Sequence, residues 1–92
     1  MQVTVKFMGP LRDQMGKQML SIQLPASATF RTLLDSIAPQ VQAKLADWAW
    51  DEEKRSFGPR MMIMRNMSDL RDETTNLADG DEILVLLPLA GG

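Results

Sequence analysis

The sequence predicts an α+β domain, a mixed sheet with one main helix packed across it. Three observations carry this. Residues 2–7 alternate polar and apolar, residues 30–37 carry an apolar stripe at helical spacing, and residues 83–87 are apolar on both faces. Alternation is the mark of a half-buried strand. A stripe at i, i+3, i+4 and i+7 is one face of a helix. A strand apolar on both faces belongs in the middle of a sheet.

The elements follow in order. Val3, Val5 and Phe7 share one face of the first strand, and Gly9-Pro10 breaks it. Residues 11–17 are a polar connection able to form a helical turn. Residues 19–24 read as a second strand, with Leu20, Ile22 and Leu24 inward, stopped by Pro25. Thr29 is a helix N-cap, since its hydroxyl can accept an orphan backbone N–H. Phe30, Leu33, Leu34 and Ile37 form the stripe behind it, and Pro39 is expected to end the helix. Val41, Leu45 and Trp48 repeat the spacing more weakly and suggest a second short helix. Residues 51–59 read as a charged surface loop, residues 61–65 as a short strand, and residues 69–76 as irregular. Asp79-Gly80-Asp81 is turn chemistry, with Gly80 able to take positive φ. The last strand is expected at the centre of the sheet beside the first. Strands so far apart in sequence pair in parallel across an intervening helix. That arrangement is a β-grasp sheet, expected over residues 1–87, followed by a tail at residues 88–92.

Composition excludes several function classes. With 92 residues, 45% apolar and 24% charged, the chain is the size of one domain. A net charge of -2 favours neither nucleic acid nor an anionic membrane. No apolar run is long enough to span a bilayer, and the alternating start is unlike a signal peptide, so a cytoplasmic protein is expected. Cys, His and Tyr are all absent. Thiolate nucleophiles, Cys-type metal sites and the commonest general base are therefore missing, and no metal site is expected. A free-standing enzyme is disfavoured.

The end of the chain offers other chemistry. Pro88, Leu89, Ala90, Gly91 and Gly92 follow the last strand. Five extended residues reach roughly 17 Å. Two glycines can thread a narrow channel because they lack Cβ. A partner enzyme could activate the carboxylate of Gly92 with ATP as an acyl-adenylate, and a sulfur nucleophile could displace AMP to leave a thiocarboxylate. Nothing in that scheme calls on a side chain here, and no cofactor need bind this chain.

In combination these features resemble the MoaD/ThiS family of sulfur carriers, and within it most closely the small subunits of molybdopterin synthase. The residues that carry the likeness run the length of the chain. They are Val3-Thr4-Val5-Lys6-Phe7, Leu11-Arg12-Asp13 with Gly16, Leu24-Pro25, Thr29-Phe30 with Leu33-Leu34, and Asn66. Leu77-Ala78-Asp79-Gly80-Asp81-Glu82-Ile83 and the terminal Leu87-Pro88-Leu89-Ala90-Gly91-Gly92 complete them. The resemblance implies a ubiquitin-like β-grasp fold. It implies that Gly92 is adenylated by a ubiquitin-activating-type enzyme and then carries sulfur, with Gly91 the thin link behind it. It also implies a hetero-oligomer with a molybdopterin synthase large subunit, contacted through Met8, Leu86 and the neighbourhood of Leu70. Two features depart from the family pattern. Leu89 and Ala90 stand where a second proline and a small polar residue are usual, and residues 41–60 are longer and richer in Trp.

Several readings stay open at this level. Leu84 and Leu86 either face outward to a partner or pack under a loop or the second helix. Trp48 is expected to cover the core, Trp50 has no evident place, Arg12 and Asp13 are expected in solvent, and the eight methionines read as adaptable packing. Besides a molybdenum- or tungsten-cofactor carrier, the chain could serve thiazole synthesis, modify proteins through its terminus as ubiquitin does, or be a binding module with a coincidental tail.

Overall fold

A computed structural model describes residues 1–88. Nine elements follow the chain: β1 (Gln2–Phe7), α1 (Pro10–Met15), β2 (Met19–Gln23), α2 (Phe30–Gln42), β3 (Trp50–Asp51), β4 (Ser56–Phe57), β5 (Met62–Arg65), β6 (Ser68–Asp69) and β7 (Glu82–Leu86). The main sheet has the order β2-β1-β7-β5-β6, and β3 pairs with β4 in a separate small hairpin. β1 runs antiparallel to β2 and parallel to β7, with Val5 opposite both Leu20 and Ile83. The expected central position of the last strand is therefore observed, with β5 antiparallel on its other side.

Strand parity decides what the sheet buries. Paired residues share a face, so Val3, Val5, Phe7, Leu20, Ile22, Ile83 and Val85 form one continuous inner surface, and all are buried. Phe30, Leu33, Leu34, Ile37, Ala38 and Val41 of α2 pack against it. Removing this apolar area from water, at about 25 cal/mol per Å², is the main favourable contribution to folding.

α2 begins as the sequence predicts. The Thr29 side chain accepts from the Thr32 N–H, and the Thr32 hydroxyl accepts from the Thr29 N–H at 3.1 Å, so two orphan donors are satisfied reciprocally. Its end differs from expectation. Pro39 lies inside the helix, which continues to Gln42. Pro39 is on the solvent face, and burial of Ala38 and Val41 on the opposite face holds the last turn in place despite the missing N–H. No second helix follows. Residues 43–50 turn through bonds such as Leu45 N–H to Val41 O and Trp50 N–H to Ala46 O, and lead into the β3–β4 hairpin instead of an open loop.

That hairpin gives Trp50, which the sequence left without a place, a core position, and leaves Trp48 more exposed than expected. Trp50 is 4% exposed and meets Phe57 edge to face at 5.2 Å, while Trp48 is 37% exposed. The chain crosses itself closely here: a Cβ on Gly58 would lie 2.1 Å from the Trp48 carbonyl oxygen. Arg31 ties the hairpin to α2. Its guanidinium donates to Asp35 at 2.8 Å, to Glu73 at 3.3 Å, and to the carbonyls of Lys54 and Arg55.

The turn before β7 is more than a reversal. Gly80 takes φ +83° as expected, and Arg12 and Asp13 are exposed on α1 as expected. Asp81, however, is 6% exposed and accepts from Arg65 Nε at 2.7 Å and from the Ala78 N–H at 2.8 Å. Arg65 shares the inner-face parity of Ile83, so its charge sits on the inner side at the end of β5 and needs this partner. Burial by itself would push the Asp81 carboxyl up. The Ala78 N–H, the Arg65 guanidinium and the Asn66 amide outweigh it and hold the group below its ordinary value of 3.8.

A carboxylate held low in this way adds stability above its unfolded pKa and loses it as pH falls through the folded one. Asp81→Asn is therefore expected to cost about 1–2 kcal/mol at neutral pH. The difference from the parent should shrink as urea unfolding is repeated toward and below pH 3.8. A gap that persists undiminished well below that pH would contradict the ion-pair account.

Candidate functional site

The candidate region lies where β7 ends. Because β7 runs parallel to β1, its last residues emerge beside the end of β1, and the Met8 N–H donates to Val85 O at 3.0 Å. Leu86 is paired with Met62 on the other side. Met8, Leu86 and Met62 therefore form one cross-strand row on the outer face. The next row holds Lys6, Leu84 and Met64, with Met19 beside Lys6. Leu84 and Leu86 have outer parity, and both are half-buried on the face away from α2.

Met8 is 41% exposed, and Met19 is exposed as well. Lys6 and Glu82 pair across the strands at 2.9 Å and mark the polar boundary. A contiguous apolar surface bounded by charge is the usual form of a protein interaction site. Leu70 does not belong to it. It is 3% exposed, donates its N–H to Ile63 O at 2.8 Å just after β6, and lies within the core. The expectation that Leu70 offers a partner contact is corrected here, because the edge strand turns the side chain inward.

Beyond Leu86 the chain leaves the ladder. Leu87 is half-buried, and Pro88, which has no N–H to continue a strand, is exposed. Pro88 borders a cleft of about 370 Å³ that also takes in Phe30, Ile63, Arg60 and Arg71. Leu89, Ala90, Gly91 and Gly92, on which the terminal chemistry would rest, lie outside the described residues. Among the described residues no group of three His, Cys, Asp or Glu side chains could hold a metal ion. None of their helices is long and apolar enough to cross a membrane.

Comparison with known proteins decides the family. The ThiS family model matches residues 5–92. The chain belongs to the ThiS family. It is a small carrier of the ThiS and MoaD type with a β-grasp fold. A search of curated protein sequences finds no match. Among solved structures, the small archaeal modifier protein SAMP1 from Haloferax volcanii superposes with TM-score 0.78 at 18% identity, covering 100% of both chains. A putative molybdopterin converting factor subunit 1 from Pyrococcus furiosus gives 0.68 at 24% identity, with 96% of this chain and 98% of that one covered. A chain of the complex of molybdopterin-converting factor subunits 1 and 2 from Helicobacter pylori gives 0.60 at 25% identity, covering 100% of both. The first two likenesses bear on the fold alone.

Sequence reasoning placed Met8 and Leu86 but missed that Met62 and Met64 complete their surface. The signal was present. Met62 and Met64 flank Ile63 at the period of a strand, so once Ile63 faces inward they must face out.

The outer face and the core give opposite expectations for the same substitution. Met8→Asp and Leu86→Asp should cost about 1 kcal/mol or less and leave the domain folded. Leu70→Asp buries a charge without a partner and should cost more than about 4 kcal/mol. Circular dichroism and thermal unfolding of the three variants check this. A folded Leu70→Asp of parental stability would return Leu70 to the surface.

Proposed function

We propose that this chain is the sulfur-carrying small subunit of a molybdopterin synthase, with Gly92 as its reactive end. The observation that carries the reading is the exit of the chain from the central strand at Pro88, beside the outward row of Met8, Leu86 and Met62. One partner surface laid on that row receives the last residues directly. The likeness to the Helicobacter pylori subunit pair supports a large subunit as that partner.

In this reading a ubiquitin-activating-type enzyme binds ATP, and the Gly92 carboxylate attacks the α-phosphorus and releases pyrophosphate. A sulfur nucleophile then adds at the acyl carbon and AMP leaves. The resulting thiocarboxylate enters the large subunit and yields its sulfur to the pterin precursor. The chain itself supplies binding and presentation, and no catalytic side chain or cofactor. Both partners are placed with it in the cytoplasm. Val3, Val5 and Phe7 keep the strand pair rigid, so the tail leaves from a fixed point. Carriage of sulfur for thiazole synthesis, or attachment to target lysines, would use the same terminus with a different acceptor.

Deleting Gly92, or adding one residue after it, should abolish ATP–pyrophosphate exchange catalysed by the adenylating enzyme while leaving the melting curve unchanged. Exchange at the parental rate in either variant would refute the mechanism. Leu86→Asp should weaken binding to the organism's own molybdopterin-converting factor subunit 2 by at least about tenfold, in keeping with loss of a central interface contact. Unchanged affinity would remove the docking surface.

A further inference from the structure

The outward face of the sheet is apolar by an uncommon choice of side chain. Met8, Met19, Met62 and Met64 all lie on it, among eight methionines in a chain without cysteine. Thioethers are therefore the only sulfur side chains available to an oxidant. They differ sharply in access. Met8 and Met19 are exposed and Met62 and Met64 half-buried, Met67 is the most exposed but lies in the turn after β5, away from this row, and Met15 is 1% exposed within the core.

We propose that Met8, Met62 and Met64 are sites of reversible sulfoxidation by hydrogen peroxide, and that this modification uncouples the chain from its large-subunit partner. The proposal rests on the docking surface of the preceding section. In the reaction a sulfur lone pair attacks one peroxide oxygen and the O–O bond breaks. The sulfur loses two electrons and gains an S–O bond, and the other oxygen leaves as water. The product is a polar side chain in the place of an apolar one. Met8 and Met62 flank Leu86, so two of the three oxygens would arrive on either side of the central contact. The row of Met8, Leu86 and Met62 offers no side-chain donor to the new acceptors. The Lys6 ammonium, one row away, is paired with Glu82 at 2.9 Å. A polar oxygen pressed against an apolar partner without a hydrogen bond opposes binding. Met15, the fully buried core sulfur, is shielded, and Met1 and Met61 only border the core.

The test uses the full chain in its carboxylate form, since a terminal thiocarboxylate would itself consume peroxide. Protein treated with hydrogen peroxide is mapped by peptide mass spectrometry, checked by circular dichroism, and titrated calorimetrically with the organism's molybdopterin-converting factor subunit 2. Oxygen is expected at Met8, Met62 and Met64 but not at Met15, with an unchanged spectrum. Affinity should fall at least about tenfold. Methionine sulfoxide reductases A and B together should restore it. In a Met8→Leu, Met62→Leu, Met64→Leu variant, judged against its own untreated affinity, peroxide should have no effect. The proposal is overturned if the three sites are oxidised and affinity holds, if they resist oxidation, if the loss persists in the leucine variant, or if it accompanies unfolding. Failure of the untreated parent to bind is a different result: it removes the docking surface, and the proposal with it.

Discussion

The parallel pairing of β1 with β7 sets the geometry on which everything else depends. Residues 4–7 lie in register with residues 82–85, so the first and last strands together hold the centre of the sheet. A parallel pair requires a long crossover, and here the crossover carries α2 across the inner face. The same pairing brings the end of β1 and the end of β7 to one edge. Met8 lies beside Val85, three residues before Pro88, for that reason alone. Had β7 been an edge strand or antiparallel to β1, the apolar row and the start of the tail would have separated.

From this constraint the division of labour follows. Val3, Val5, Phe7, Ile83 and Val85 face α2 and fix the strands. Their alternate neighbours face outward and form the surface proposed for docking. One period-two pattern thus writes both the core and the outer face, and a shift of one residue in register would exchange them. Asp81 and Arg65 pin that register at the start of β7, where the buried carboxylate joins the turn to β5. The ion pair stands at the opposite end of β7 from Pro88. The strand is anchored at one end by charge and hydrogen bonds and released at the other by proline.

The parts legible in the sequence are those written by local periodicity. Alternation in β1 and β2, the stripe of α2, the Thr29 cap and the doubly apolar final strand all correspond to observed elements. The parity of Leu84 and Leu86 was not legible in this way, because a strand apolar on both faces does not say which face turns inward. The failures have equally physical causes. Pro39 reads locally as a stop, but a proline on the solvent face is tolerated when the opposite face is packed. The two-residue strands β3 and β4 are too short to carry a pattern, and charged residues 51–55 concealed the hairpin. Trp50 enters the core because a hairpin presents it there, which helical spacing could not suggest. Arg65 and Asp81 are 16 residues apart, and Leu70 turns inward only because β6 lies at a sheet edge. Neither contact has a local signature. The terminal glycines were singled out for their chemistry, and the residues that carry it lie beyond the described part of the chain.

Under the proposed function the reactive atom is a carboxylate oxygen of Gly92, and the fold presents it. Intact and fragment mass spectrometry, after incubation with the adenylating enzyme, ATP and a sulfur donor, is the decisive measurement. One oxygen should be replaced by sulfur, localised to Gly92. An unchanged mass with an enzyme proven active, or sulfur found on any other residue, would overturn the proposal.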